Sequence, residues 1–237
     1  MTSVSANVGA EERYSVFPFY ICLDTSASMA GAPIASVNEQ MPLLRATVGE
    51  DPAVAEVIRL GIVTFSDVAR SVLPLSDLSL VEEVPEVVAQ GRTSYAAVFD
   101  HLRQVIEDDY LKSRAAGDRW YRPAVIFISD GRPTDDPERW RSALRRLTDP
   151  AWPRRPNVLA FGFGEADAEV LAAVTSHLPN RAFIAAEGSD PAKVVPELLK
   201  GLIQSIVTSS TSVYDGAALL VAPDLPSMNA IPVDQLD

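Results

Sequence analysis

At 237 residues the chain has the size of one large domain, and an apolar content of 47% is enough for a sizeable core. The formal net charge of −12 sets it against nucleic-acid phosphates and anionic membranes, so neither is expected as a partner. The single Cys22 excludes an intrachain disulfide, no Cys/His zinc spacing occurs, and no apolar run approaches the length of a membrane span.

Met1 to Arg13 is polar, without the basic start and apolar core of a signal peptide. It reads as a flexible leader (1–13), and a cytoplasmic location is expected. Val16 to Leu23 is an apolar, aromatic-rich run without helical spacing, which predicts a buried strand, with Pro18 near its start or at a bulge. Such a strand, buried on both faces, belongs inside a mostly parallel sheet covered by helices. It ends abruptly in Asp24, followed by hydroxyls at Ser26 and Ser28.

Pro33 opens a helix whose apolar face is Ile34, Val37, Met41 and Leu44, and Pro42 predicts a kink near Asn38 to Met41. Val57 to Phe65 is a second strand. Arg70 to Leu75 is a third, joined by a connection short enough for an antiparallel hairpin. Leu78 to Gln90 reads as an irregular crossover. Gly91-Arg92-Thr93-Ser94 opens a helix carrying Tyr95, Phe99, Leu102 and Ile106 on its apolar face, with Thr93 or Ser94 as its cap.

Ala124 to Ser129 is the clearest strand, and it again ends in a carboxylate, Asp130, followed by Gly131. Asp136 and Pro137 start a helix running to Leu147. Its arginines, Arg139, Arg141, Arg145 and Arg146, read as a solvated face in so acidic a chain. Val158 to Phe163 is a strand, Ala166 to His177 a helix, Ala182 to Ala185 a short strand, and Pro191 to Thr208 the last helix. Ser209 to Ser212 reads as a hinge before a tail (209–237) without clear period, expected to be disordered or to dock a partner. Residues 14–208 form the domain, and strand–helix alternation makes it α/β.

Ligands of such sheets gather at the carboxyl edge of the strands. Asp24, Ser26, Ser28, Thr93 and Asp130 are placed to share that edge. They supply two carboxylates and three hydroxyls, and no nitrogen or sulfur. Two unpaired carboxylates repel at short range, and a dication removes the repulsion. The oxygen set suits Mg²⁺, with Mn²⁺ or Ca²⁺ as alternatives. It neutralises the ion without filling its shell, leaving room for an Asp or Glu carboxylate from a protein partner.

A metal-bound water acting as nucleophile is the competing outcome, but it needs a general base, and His101 and His177 fall on helices as ordinary residues. A phosphotransferase acting at Asp24 needs a second acid two residues on, where Ser26 stands. No Gly-rich loop ends in Lys-Ser or Lys-Thr, so a P-loop is excluded. A receiver domain needs clustered acids nearer the first strand than Glu11 and Glu12. The blandest reading makes the hydroxyls mere turn caps. Five residues in one pattern favour a metal-dependent binding module over an enzyme.

The pattern Asp24-x-Ser26-x-Ser28, Thr93, Asp130-Gly131 resembles the metal-ion-dependent adhesion site (MIDAS) of von Willebrand factor A domains. Leu23 to Met29, Ala35 to Glu39, Val63-Thr64-Phe65 and Trp120 to Pro123, leading to Ser129 to Asp136, resemble the tellurite-resistance TerY-like branch. The resemblance spans about Tyr14 to Thr208. It implies a Rossmann-like six-stranded sheet with one antiparallel strand and helices on both faces. It implies that Ser26, Ser28 and Thr93 touch the metal directly, with Asp24 and Asp130 direct or through water. It further implies a non-catalytic protein-interaction role in a bacterial stress system, alongside a kinase or phosphatase. Ala27 and Arg92 depart from the family pattern, where glycine and a small residue are frequent. Arg92 could help hold a partner's carboxylate or occupy the site entrance.

Overall fold

The computed structural model describes residues 14–175, 181–214 and 219–231. The leader expected at 1–13, His177, and the tail residues 215–218 and 232–237 lie outside the described residues.

The sheet is formed by β1 (Ser15–Asp24), β2 (Ile58–Phe65), β3 (Ala69–Ser76), β4 (Arg119–Trp120), β5 (Ala124–Ser129), β6 (Asn157–Gly162), β7 (Ala182–Ala185) and β8 (Met228–Ile231). Its order is β3-β2-β1-β5-β6-β7-β8, with β4 paired to the start of β1. All pairings are parallel except β2–β3 and β7–β8. The doubly covered α/β class is as expected. The sheet exceeds the six strands expected because β4 is only two residues long and β8 comes from the tail, and β8 adds a second antiparallel pairing. Pro18 falls where the neighbour of β1 on one side changes from β4 to β5, so its missing donor interrupts little.

The helices are α1 (Ala32–Gly49), α2 (Pro52–Val57), α3 (Tyr95–Ala115), α4 (Pro137–Leu147), α5 (Ala168–Val174) and α6 (Pro191–Tyr214). Side chains of β1 alternate strictly. Phe19, Ile21 and Leu23 pack with α1, α2 and α6, while Tyr20 and Cys22 pack with α3, α4 and α5. Both faces of the central strands are therefore dry. α1 continues through Pro42, which is exposed, so the carbonyl deprived of its donor lies toward water. α2 was not expected. Asp51 creates it by accepting from the backbone N–H groups of Ala53 and Val54, with Pro52 at the first helical position.

Ser209 to Ser212 is not a hinge. α6 runs through it to Tyr214, because these hydroxyls hold a returning chain. Ser209 Oγ accepts from Val221 N at 3.0 Å, Ser212 Oγ accepts from Leu219 N at 2.8 Å, and Ser205 Oγ donates to the Val221 carbonyl. Leu225 and Met228 are buried beyond this clasp, so the chain past 208 is docked on the domain where it is described. Ser209 is fully buried, and Ser209→Ala orphans the Val221 N–H. A loss of about 1–2 kcal/mol is expected in urea unfolding.

Candidate metal centre

Asp24 terminates β1 with its carboxylate fully buried. Oδ1 accepts from Ser26 N at 2.9 Å, and Oδ2 accepts from Ser129 Oγ at 2.6 Å across the β1–β5 boundary. Ser26 leads into a 3₁₀ turn over Ala27–Met29, which turns the chain back over the sheet edge. Ala27 serves here in place of glycine because that turn is a right-handed conformation any residue adopts. The Ser26 and Ser28 hydroxyls lie 3.0 Å apart, and Ser28 Oγ donates to Asp130 Oδ1 at 2.9 Å.

Thr93 enters from the loop before α3. A Cβ placed on Gly131 would lie 3.8 Å from Ser28 Oγ and 3.9 Å from Thr93 Oγ1, so both hydroxyls face the same glycine beside Asp130. The Thr93 carbonyl accepts from Thr134 N and Thr134 Oγ1, at 2.8 and 3.0 Å. Its hydroxyl makes no hydrogen bond to any described residue. The three segments are laced together: Gln90 N donates to the Thr25 carbonyl at 2.7 Å, and Ala27 N to that of Gly91 at 3.0 Å. Gly91 is needed for its φ of +76°. All five anticipated side chains thus meet at one edge.

Sequence reasoning missed three supporting groups. Ser129 orients Asp24, and strand parity could have revealed it, since both fall on the α3-facing side of adjacent strands. Asp135 accepts from Ser94 Oγ and Ala96 N at 2.9 and 2.8 Å, which anchors the start of α3. Tyr95 Oη donates to the Gly131 carbonyl at 3.2 Å. Arg92 turns outward, its Nε 3.6 Å from Asp67 Oδ1. His101 is engaged with Ser71 of β3 at 2.9 Å.

The electrostatics fit a hard cation. No ion pair to Asp24 or Asp130 occurs among the described residues. Burial pushes the Asp24 carboxyl up, against the hydrogen bonds from Ser129 and Ser26. Burial and then the charge of Asp24 push Asp130 up to about 6, against the bond from Ser28. Among the described residues no group of three or more His, Cys, Asp or Glu side chains is placed to hold a metal ion, so the candidate centre rests on its hydroxyls as much as on its two acids. Two acids with three hydroxyls are a set for an oxygen-seeking ion.

The family model of the von Willebrand factor type A domain matches residues 19–197, which include all five residues. The chain belongs to the von Willebrand factor type A domain family. Solved structures share this von Willebrand factor A fold. A von Willebrand factor type A protein from Catenulispora acidiphila superposes with a TM-score of 0.60 at 15% identity, over 81% of this chain and 43% of that one. Proximal thread matrix protein 1 of the mussel byssus gives 0.57 at 17% identity, over 84% and 49%. The same mussel protein with a zinc-occupied MIDAS motif gives 0.54 at 16%, again over 84% and 49%. The chain thus spans less than half the length of these proteins, and at such identities the likeness is one of fold. No curated protein is matched by its sequence. None of the described helices is long and apolar enough to cross a membrane.

Proposed function

We propose that this von Willebrand factor A domain is a Mg²⁺-dependent protein-interaction module without catalytic activity, with Mn²⁺ or Ca²⁺ able to replace Mg²⁺. The observation that carries the reading is the chain Ser26 Oγ, Ser28 Oγ, Asp130 Oδ1, closed by Thr93 Oγ1 across Gly131. In this reading Ser26, Ser28 and Thr93 hold the ion directly, and Asp24 and Asp130 hold it directly or through water. The bound ion supplies a hard positive centre for an Asp or Glu carboxylate of a protein partner. Around it, this chain's work is positional: Ser129 fixes Asp24, and the Thr25–Gln90 lacing fixes the loops. The zinc-occupied motif of the mussel protein supports a divalent ion at this place in the fold.

The TerY-like sequence text supports a finer assignment: a cytoplasmic role in a bacterial tellurite-resistance or stress system, with an associated kinase or phosphatase as partner. In this reading both carboxylates of the set are engaged on the ion, which supports binding over turnover. Pull-down from the native host is the test. The partner is expected to be retained in Mg²⁺, released by EDTA, and not captured by Asp24→Ala. Phosphatase turnover that disappears with Asp24→Ala would establish the enzyme reading instead.

A further inference from the structure

A cavity of about 160 Å³ lies beside the metal edge, between the β2–β3 hairpin and residues 86–90. That is below the size of ordinary small-molecule sites and suited to one side chain. Its wall next to the metal centre is Thr25 and Gln90, which adjoin Asp24, Ser26 and Gly91 in the chain; Gln90 N donates to the Thr25 carbonyl at 2.7 Å. Ser66, directly after β2, ties the cavity to the metal loops a second time, because its carbonyl accepts from Ser94 N at 2.9 Å.

The lining is mostly polar. The Thr64 and Ser66 side chains are buried, Arg70 stands on the hairpin wall, Glu86 stands on the wall formed by residues 86–90, and valines complete the surface. The side chains of Thr64, Ser66, Arg70, Glu86 and Gln90 make no hydrogen bond to any described residue, and Arg70 and Glu86 form no ion pair among the described residues. Five polar side chains that converge on one small space with their hydrogen bonds unspent call for a polar occupant. The two opposite charges select among polar groups. A partner's carboxylate would meet Arg70 but be repelled by Glu86, and a partner's Lys or Arg would meet the reverse. A carboxamide is neutral, and it offers an acceptor oxygen to Arg70 and N–H donors to Glu86 at once. The hydroxyls of Thr64 and Ser66 can serve either of its ends.

We infer that this polar cavity is the specificity subsite of the metal centre, and that it takes the side-chain carboxamide of an Asn or Gln next to the metal-bound acid of a protein partner. The inference rests on the metal-dependent reading above and adds which acids are accepted. The partner lies over the β2–β3 side of the metal, across Thr25 and Gln90.

An array of short peptides tests it. Each carries a fixed central Asp or Glu with every residue varied at the neighbouring positions, and each is probed with the full chain in Mg²⁺ and in EDTA. Binding is expected to need both the acid and Mg²⁺, and Asn or Gln one or two residues from the acid should dominate. Arg70 and Glu86 are exposed, so substitution at either leaves the core untouched. Glu86→Lys leaves two cations on the cavity and is expected to turn the preferred neighbour to Asp or Glu. Arg70→Glu leaves two anions and is expected to turn it to Lys or Arg. Each variant should weaken the Asn- and Gln-bearing peptides about ten-fold. Acid- and Mg²⁺-dependent binding with no preference for Asn or Gln, or with a preference both variants retain, would overturn the subsite alone. No Mg²⁺-dependent binding of any acidic peptide would overturn the metal-dependent reading and the subsite with it.

Discussion

Asp130→Asn is expected to stabilise the protein in EDTA and to remove its response to Mg²⁺. Asp130 is buried, close to the Asp24 charge, and its carboxyl is pushed up from 3.8 to about 6. A raised carboxylate favours the folded state while it is protonated. That stabilisation is fully present below the unfolded value near 4 and is lost as pH rises through about 6. At pH 7.5 the metal-free wild type carries the full cost, roughly 1–3 kcal/mol for a group at the rim of the interior. Asparagine keeps an oxygen to accept from Ser28 and removes the charge. In EDTA the variant should therefore melt above the wild type and lose much of the fall in stability between pH 4 and 7. Saturating Mg²⁺ should raise the wild-type melting temperature by about 5–10 °C and leave the variant nearly unmoved. Thermal melts of both proteins in EDTA and in Mg²⁺, across pH 4 to 8, check each part. A variant less stable than wild type in EDTA would show that Asp130 is held by something other than a cation.

The second large effect is expected at Phe127, on the α3-facing side of β5. Its ring stacks on Phe65 at 5.1 Å, meets Tyr95 edge-on at 4.8 Å and lies 5.6 Å from Phe99, with no exposed surface. Phe127→Ala opens a cavity under Tyr95, and about 3–5 kcal/mol should be lost. That is a large share of the roughly 5–15 kcal/mol holding an ordinary domain together. Phe127→Leu should cost less, because it keeps most of the volume. The consequence reaches the site. Tyr95 carries the bond to the Gly131 carbonyl, and Gly131 stands between Ser28 and Thr93. Urea unfolding should show a lower midpoint at unchanged slope, and Mg²⁺ should bind Phe127→Ala more weakly than wild type. An unchanged midpoint would show that the aromatic cluster does not carry this stability, and unchanged Mg²⁺ binding that it does not support the proposed centre.

The centre was legible in the sequence because strands buried on both faces announce their ends. A carboxylate directly after Phe19 to Leu23 or after Ala124 to Ser129 has one place to go, the carboxyl edge of the sheet. Thr93 was legible through the glycine and hydroxyls that start α3. The supporting groups were harder, because Ser129 and Asp135 act through partners that are remote in sequence. The serine run at 209–212 misled for a related reason. Its composition is that of a linker, and only the returning backbone at 219–221 makes it a helix with satisfied hydroxyls. β4 escaped notice because two residues carry no readable period, and β8 because it lies in a tail without clear period; the pairing of each comes from the neighbour it meets.

Calorimetric titration with Mg²⁺ of wild type beside Asp24→Ala and Thr93→Val tests most directly whether oxygens from three separate loops act as one ion-binding set. One ion per wild-type chain, with no measurable heat for either variant, is the predicted result. Equal heats for all three proteins would contradict it.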